Sequence, residues 1–260
     1  MSDSAGVPWE GRQFEHAPAS TDDGSAPATL IRALRLFREA GLREARVGEA
    51  GVGEAGVIDA IRDSRLLIPL VAHLGESGID AHRHTGDKKA ELSIVTVSGP
   101  DGRNVMPVFS SVDTMRRWKP LARPVPAHAV RVALAAASEG TELVVLDPTS
   151  PTEFAIRRPA LRAIAQSQPW IPSYLDPEIL TEFRNSAAFE PIVESVSLEP
   201  GDPDARLAGP ELVVLLSLTP GLAGSELYAI LERLQSRWTV SEPITTRVDS
   251  LRVQLGTAGA

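Results

Sequence analysis

Arg116, Arg117, Lys119 and Arg123 surround Trp118, and Arg157, Arg158 and Arg162 follow later in the chain. Guanidinium groups beside an indole can hold a phosphate, stack on bases or anchor a protein interface. The competing reading is the solvated side of a short helix, with Trp118 turned into the core. His82 and His84 stand two residues apart and on a strand would share a face. Zinc takes three or four protein ligands, the chain has no cysteine, and the spacing of nearby Asp80 and Asp87 fits no ligand set. No metal is expected. Gly51, Gly53 and Gly56 satisfy G-x-G-x-x-G, with Glu76 at the distance a ribose-binding acid would take. The stretch before them, Leu42 to Val47, is charged rather than a buried strand, and the match arises from a duplicated pentapeptide, Val47-Gly-Glu-Ala-Gly51 and Val52-Gly-Glu-Ala-Gly56. No nucleotide cofactor is expected.

Nucleophile patterns are absent: there is no G-x-S-x-G elbow, no Walker-type loop and no H-E-x-x-H. His73 and His128 have no acid and nucleophile paired with them in sequence, and Ser110-Ser111 stands where a helix needs its cap. No catalytic residue is nominated.

These residues sit in 260, enough for one or two domains with their own cores. The formal charge is −8, which argues against a general nucleic-acid or membrane-surface binder. The charge is uneven. Residues 29–165 carry 19 basic and 16 acidic groups, whereas residues 166–260 carry 6 and 13. That change of sign supports two domains. The longest apolar uncharged stretch, Leu212 to Ser225, contains Pro220 and is shorter than the ~18 residues a membrane span takes. The acidic, polar start of the chain does not read as a secretory signal, so a cytoplasmic location is expected.

Met1 to Ala28 has no apolar period and is expected to be a disordered tail. Leu30, Ile31, Leu34 and Phe37 predict a helix, the pentapeptide repeat a variable loop, and Val57 to Asp63 a second helix. Leu66 to Leu74 predicts a strand, whose Pro69 suggests an edge or a bulge. Leu92–Val97 and Asn104–Phe109 around Pro100-Asp-Gly102 predict a hairpin, with Val108 and Phe109 on opposite faces and at least one of them in the core. Ser111 caps a short helix ending at Trp118, and Pro120, Pro124 and Pro126 stiffen the connection after it. A helix over Ala127–Ser138, strands near Leu143–Leu146 and Phe154–Ile156, and a helix from Pro159 complete the first half. The boundary is placed at residues 167–173, which hold two prolines. Beyond it a helix opens at Asp176-Pro177, followed by strands Ile192–Leu198 and Leu212–Leu218, a helix after Thr219-Pro220, and a strand from about Ile244 to Leu255.

Asp87-Lys88, Gly102-Arg-Asn-Val-Met-Pro-Val-Phe-Ser-Ser111, Trp118-Lys-Pro-Leu-Ala-Arg-Pro-Val-Pro126 and Leu146-Asp147-Pro148 together resemble the N-terminal domain of the SseB family, named for enhanced serine sensitivity, in its actinobacterial form. Gln168-Pro-Trp170 and Pro172-Ser-Tyr174 extend the resemblance into the C-terminal block. It implies an α/β N-terminal domain without known catalytic residues and supplies no catalytic set. The pentapeptide repeat is an addition to the family pattern.

The expected fold is α/β (α+β) in two domains. A tail over 1–28 precedes an N-terminal domain at 29–166 with a mixed sheet and helices. A linker at 167–173 leads to a C-terminal α-β-β-α-β domain at 174–260 with a small antiparallel sheet. The expected function is a non-catalytic interaction or regulatory module that binds a protein partner through Asp87, Lys88, Arg117, Trp118 and Arg123, without metal or cofactor. Two alternatives stand beside it. One is a small-molecule or catalytic pocket between the domains near Asp87, Lys88 and Arg123, and the other is nucleic-acid binding through Arg116–Arg123.

Overall fold

The computed structural model describes residues 22–41, 53–73, 91–100, 102–221 and 223–257. The expected tail up to residue 21 and most of the pentapeptide repeat lie outside the described residues. In chain order the elements are α1 (Ala28–Gly41), α2 (Glu54–Arg62), β1 (Arg65–His73), β2 (Glu91–Ile94), β3 (Val97–Ser98), β4 (Asn104–Val108), α3 (Val112–Trp118), β5 (Arg123–His128), α4 (Ala129–Ser138), β6 (Leu143–Leu146), β7 (Phe154–Ile156) and α5 (Arg158–Ala165). A 3-10 turn at Ser173–Leu175 leads into α6 (Pro177–Ala187), β8 (Val193–Pro200), β9 (Leu212–Leu218), α7 (Gly224–Val240), α8 (Glu242–Arg247) and β10 (Leu251–Thr257).

The protein is a mixed α/β structure. In the N-terminal part β1 lies between β2 and β5, both antiparallel to it. A second ladder runs β3-β4-β6-β7, with β4 and β6 parallel. Reciprocal backbone bonds between Leu67 and Phe109, 2.8 and 2.9 Å, stitch the two together. α1, α2, α4 and α5 bury Leu30, Leu34, Ile58, Ile61, Val132 and Ile164 against one face of this surface. On the other face Phe109 packs with Leu67, Met115 and Ala122 beneath α3. Both faces are therefore covered, and Val108 and Phe109 are both core residues.

Four prolines lie in the strands of the N-terminal part, and the strand pairings explain how each is tolerated. In antiparallel ladders successive residues turn their N–H and C=O alternately to the two neighbours. Leu67 turns toward Phe109, so Pro69 turns the same way, into the gap before β2 begins at Leu70. Pro69 is thus in an inner strand, neither at an edge nor at a bulge. Pro107 turns to the side of Phe109, beyond the last β3 pair at Val105, so this buried residue also faces a gap. The N–H of Ala129 bonds Ser64 on the β1 side, so the alternation turns Pro124 and Pro126 outward along the free edge of β5. No ladder bond is lost at any of the four.

Further differences from expectation have local causes. α2 begins at Glu54, so the end of the repeat is helical rather than loop; its Val57, Ile58 and Ile61 bury a face that draws the preceding turn into the helix. Leu92–Val97 does not form one arm of a long hairpin: β2 pairs with β1, and only Val97 and Ser98 pair with β4. Arg123–His128, expected to be a stiff connection, is strand β5, because extended proline backbone fits an edge strand.

In the C-terminal part β9 is central, and Leu212, Val214, Leu216 and Leu218 pack with Phe183, Ile230, Leu234 and Trp238 in a second core. The three-stranded sheet is present, but only β8 and β9 are antiparallel. β10 runs parallel to β9, from Leu251 opposite Leu212 to Thr257 opposite Leu218. The cause is the connection: a parallel return needs a long crossover, and α7 with α8 supplies it. α8 also occupies 242–247, where a strand was expected, because Pro243 fits a first helical turn. The segment from Gly201 to Glu211 crosses back and places Ala205 in the first core, with the Ala155 N–H donating to Ala205 O at 2.7 Å.

Candidate functional site

Two regions concentrate charge. The first is the outer surface of α3 and β5. Ser111 accepts from Thr114 N and caps α3, fixing the direction in which the helix presents its arginines. Arg116, Arg117, Lys119 and Arg123 are exposed, and Leu121 between them is 89% exposed. Arg117 donates to Asp113 O within its own helix, and none of the four forms an ion pair among the described residues. Trp118 does not stand out from the surface: it is half-buried against Phe109, ring centroids 5.3 Å apart. It fixes α3 on the sheet, as the core-packing reading held. Asp87 and Lys88, like His82 and His84, lie outside the described residues. Among the described residues no group of three or more His, Asp or Glu side chains is placed to hold a metal.

Beneath this surface two of the segments that carry the family resemblance, Gly102–Ser111 and Leu146–Pro148, meet. Asp147, 0% exposed at the end of β6, accepts from Ser110 N at 2.8 Å, Ser110 Oγ at 2.6 Å and Thr152 Oγ1 at 2.8 Å. Its φ of 47° and the 65° of Thr149 are left-handed conformations unusual for such residues. The carboxylate ties the end of β4 to the turn after β6 and so sets where α3 begins. Among the described residues no histidine bonds the pair, and the three bonds that Asp147 accepts make a clamp.

The second region was not found from sequence. Arg157, named with Arg158 and Arg162 as part of a possible basic patch, is buried where the N-terminal part meets the C-terminal part. Its guanidinium donates to Asp202 Oδ2 at 2.7 Å, Gly209 O at 2.8 Å and Asp249 Oδ2 at 3.2 Å. Arg103 grips Asp249 with two bonds of 3.0 Å. Arg158 donates to Val248 O at 2.7 Å and Thr245 O at 3.0 Å, which removes it too from any basic patch. Asp202 also accepts from the backbone N–H groups of Arg206, Leu207 and Ala208, folding the 201–211 segment around itself. Gly201 lets that segment close: a Cβ there would stand 2.3 Å from Pro210 O.

Next to this network Glu54, Trp170, Asp202 and Glu211 line an enclosed cavity of about 10 Å³, the room of one water. Glu211 is 6% exposed. Its Oε2 accepts from Asp249 N, while Oε1 is in no close hydrogen bond, and neither is the adjacent buried Ser173 Oγ. Burial pushes the Glu54 carboxyl up to about 8, with Glu211 adding to the rise and Arg157 opposing it. Burial also raises Glu211, against the Asp249 N–H that it accepts. Asp249 ends below the usual carboxylate range: burial works to raise it, and Arg103 and Arg157 together outweigh burial. The only sequence sign of this region was the Gly/Pro-rich loop Glu199–Asp204. Of the alternative pocket near Asp87, Lys88 and Arg123, the first two residues lie outside the described residues. The cavity here and a groove of about 440 Å³ lined by Arg162, Gln168, Trp170, Ile171 and Arg247 both lie away from Arg123.

No curated protein and no solved structure matches the chain. Residues 39–163 match the family profile described as SseB protein N-terminal domain. That span contains β4, α3, β5 and β6, and with them the Ser110–Asp147 clamp and the arginines of the α3–β5 surface. Over that span, just under half of the chain, the protein is similar to the SseB N-terminal domain.

Proposed function

We propose that the protein is a non-catalytic, cytoplasmic interaction module whose N-terminal part binds an acidic segment of a protein partner across α3 and β5. The observation carrying this reading is the set of exposed cations Arg116, Arg117, Lys119 and Arg123, without an ion pair among the described residues, in a chain of net charge −8. Fixed cations beside the exposed Leu121 suit an acidic peptide with an apolar side chain, and Arg is a frequent interface anchor. Pro124 and Pro126 favour a partner held by side chains, because the free edge of β5 has no N–H at those positions to pair with an added strand. Lys88 is included in this surface as an expectation from sequence. Among the described residues no helix is long and apolar enough to cross a membrane.

The test is calorimetric titration of a polyglutamate peptide into the full chain and into the Lys88→Ala, Arg117→Ala, Arg123→Ala variant, with a pull-down beside it. Binding that weakens with salt and falls in the folded variant is expected. Equal affinity for both proteins would move the site elsewhere. Stronger retention on single-stranded DNA than on polyglutamate would favour nucleic acid.

A further inference from the structure

We propose that the seam between α2 and the 201–211 segment is a proton-held joint, in which Glu54 and Glu211 face one small cavity and loss of a proton from this pair parts the two elements. The charge balance around the cavity leads to this. Arg103 and Arg157 are the two cations, against the four carboxylates of Glu54, Asp202, Glu211 and Asp249. Both arginines are already engaged, Arg103 with Asp249 and Arg157 with Asp202 and Asp249. Glu54 and Glu211 are left without a cation of their own. A buried charge without a partner is expensive, and a carboxyl in that position keeps its proton instead. The cavity has room for about one water, which leaves little solvent to disperse a second negative charge there. Glu211 Oε1 and Ser173 Oγ, neither in a close hydrogen bond, mark the same spot, and the Ser173 hydroxyl works against the rise of Glu211 without reversing it.

The other elements around α2 do not change this balance. Glu54 is faced by Glu211, Arg157 and Asp202, and the Tyr174 phenol lies close enough to be raised by burial and by both glutamates. Arg38 of α1 is turned away to Asp204 O and Glu153 O. Arg131 of α4 is exposed, and Arg158 at the start of α5 is bound to the α8 end of the C-terminal part. The upward shift of Glu54, to about 8, places the release near neutral pH rather than in strong acid.

The sign follows from linkage. An unfolded glutamate ionises near 4.3, and the folded one holds its proton to a higher pH, so the joint weakens as pH rises between these values and levels off above the folded value. Hydrogen exchange of the full chain at pH 6, 7, 8 and 9, corrected for intrinsic base catalysis, reads the joint directly. Protection of residues 54–62 and 201–211 should fall on the order of tenfold to a hundredfold from pH 6 to 9. Amides of β4, remote from the cavity, should change less. Glu54→Gln carries no titrating proton and should remove the step. Glu211→Gln leaves Glu54 with one less negative neighbour and should shrink it, which keeps a second reading if Glu54→Gln fails to fold. Unchanged wild-type protection in the two segments overturns the proposal by itself, and so does a step that persists undiminished in both variants.

Discussion

The α3–β5 surface and the seam around Arg157 are built from the same residue type and put it to opposite uses. On the surface Arg116, Arg117 and Arg123 are solvated and have no acid against them among the described residues. At the seam Arg103 and Arg157 hold Asp202 and Asp249, carboxylates that arrive from far along the chain. Solvated guanidinium is free to exchange partners at little cost, whereas buried guanidinium must have its partners or lose the fold around it. Runs of arginine in a sequence do not separate these cases. The burial of the next element does: Arg157 precedes α5, whose Pro159, Ala160, Leu161 and Ile164 are all buried.

Breaking the seam should have the largest effect. Arg157→Ala leaves Asp202 and Asp249 short of a cation in a buried site, and a loss of about 3–5 kcal/mol in urea unfolding is expected. A loss below about 1 kcal/mol would mean that water replaces the guanidinium and that the seam resembles the surface after all. Next comes the clamp beneath the surface. Asp147→Ala strands Ser110 N–H, Ser110 Oγ and Thr152 Oγ1, at about 1–3 kcal/mol, and should loosen the start of α3 in hydrogen exchange. Third, Pro124→Val with Pro126→Val adds two outward N–H groups to the β5 edge. Light scattering should show more self-association with little change in melting temperature; unchanged scattering would mean that the edge is guarded by other means. Smallest is the effect of Arg117→Ala and Arg123→Ala on stability, no more than about 0.5 kcal/mol each, although binding should fall. A larger stability loss would show that the surface arginines have structural partners.

Much of the fold was legible because apolar periodicity and turn residues are local signals. α1, α3, α6, β6 and β9 stand where the pattern placed them, and Ser111 and Asp176 cap the helices they precede. What was not legible depended on partners remote in sequence. Nothing near Pro69 announces a gap between two neighbouring strands, so its strand was read as lying at an edge or holding a bulge. The direction of β10 is set by the packing of the α7–α8 crossover, and a strand pattern carries no direction. Of the binding residues singled out, Arg117 and Arg123 are exposed and Trp118 is mostly a packing residue, while Asp87 and Lys88 lie outside the described residues. The seam was missed because Glu54, Arg157, Asp202, Glu211 and Asp249 converge only in three dimensions.

The pairing of Arg157 with Asp249 spans 92 residues, and it has a meaning for how the protein is made. A ribosome adds about 5–20 residues each second, so Arg157 leaves it roughly 5–20 s before its carboxylate does. Arg103 waits longer still for the same Asp249. Through that interval Asp249 does not yet exist and Asp202 appears only about halfway, and β9 has no parallel neighbour to its other side. The emerging chain must keep both arginines hydrated, leaving α5 and the floor of the sheet loosely docked until the final strand is released. Vectorial synthesis therefore makes the closing of the seam the last step of assembly.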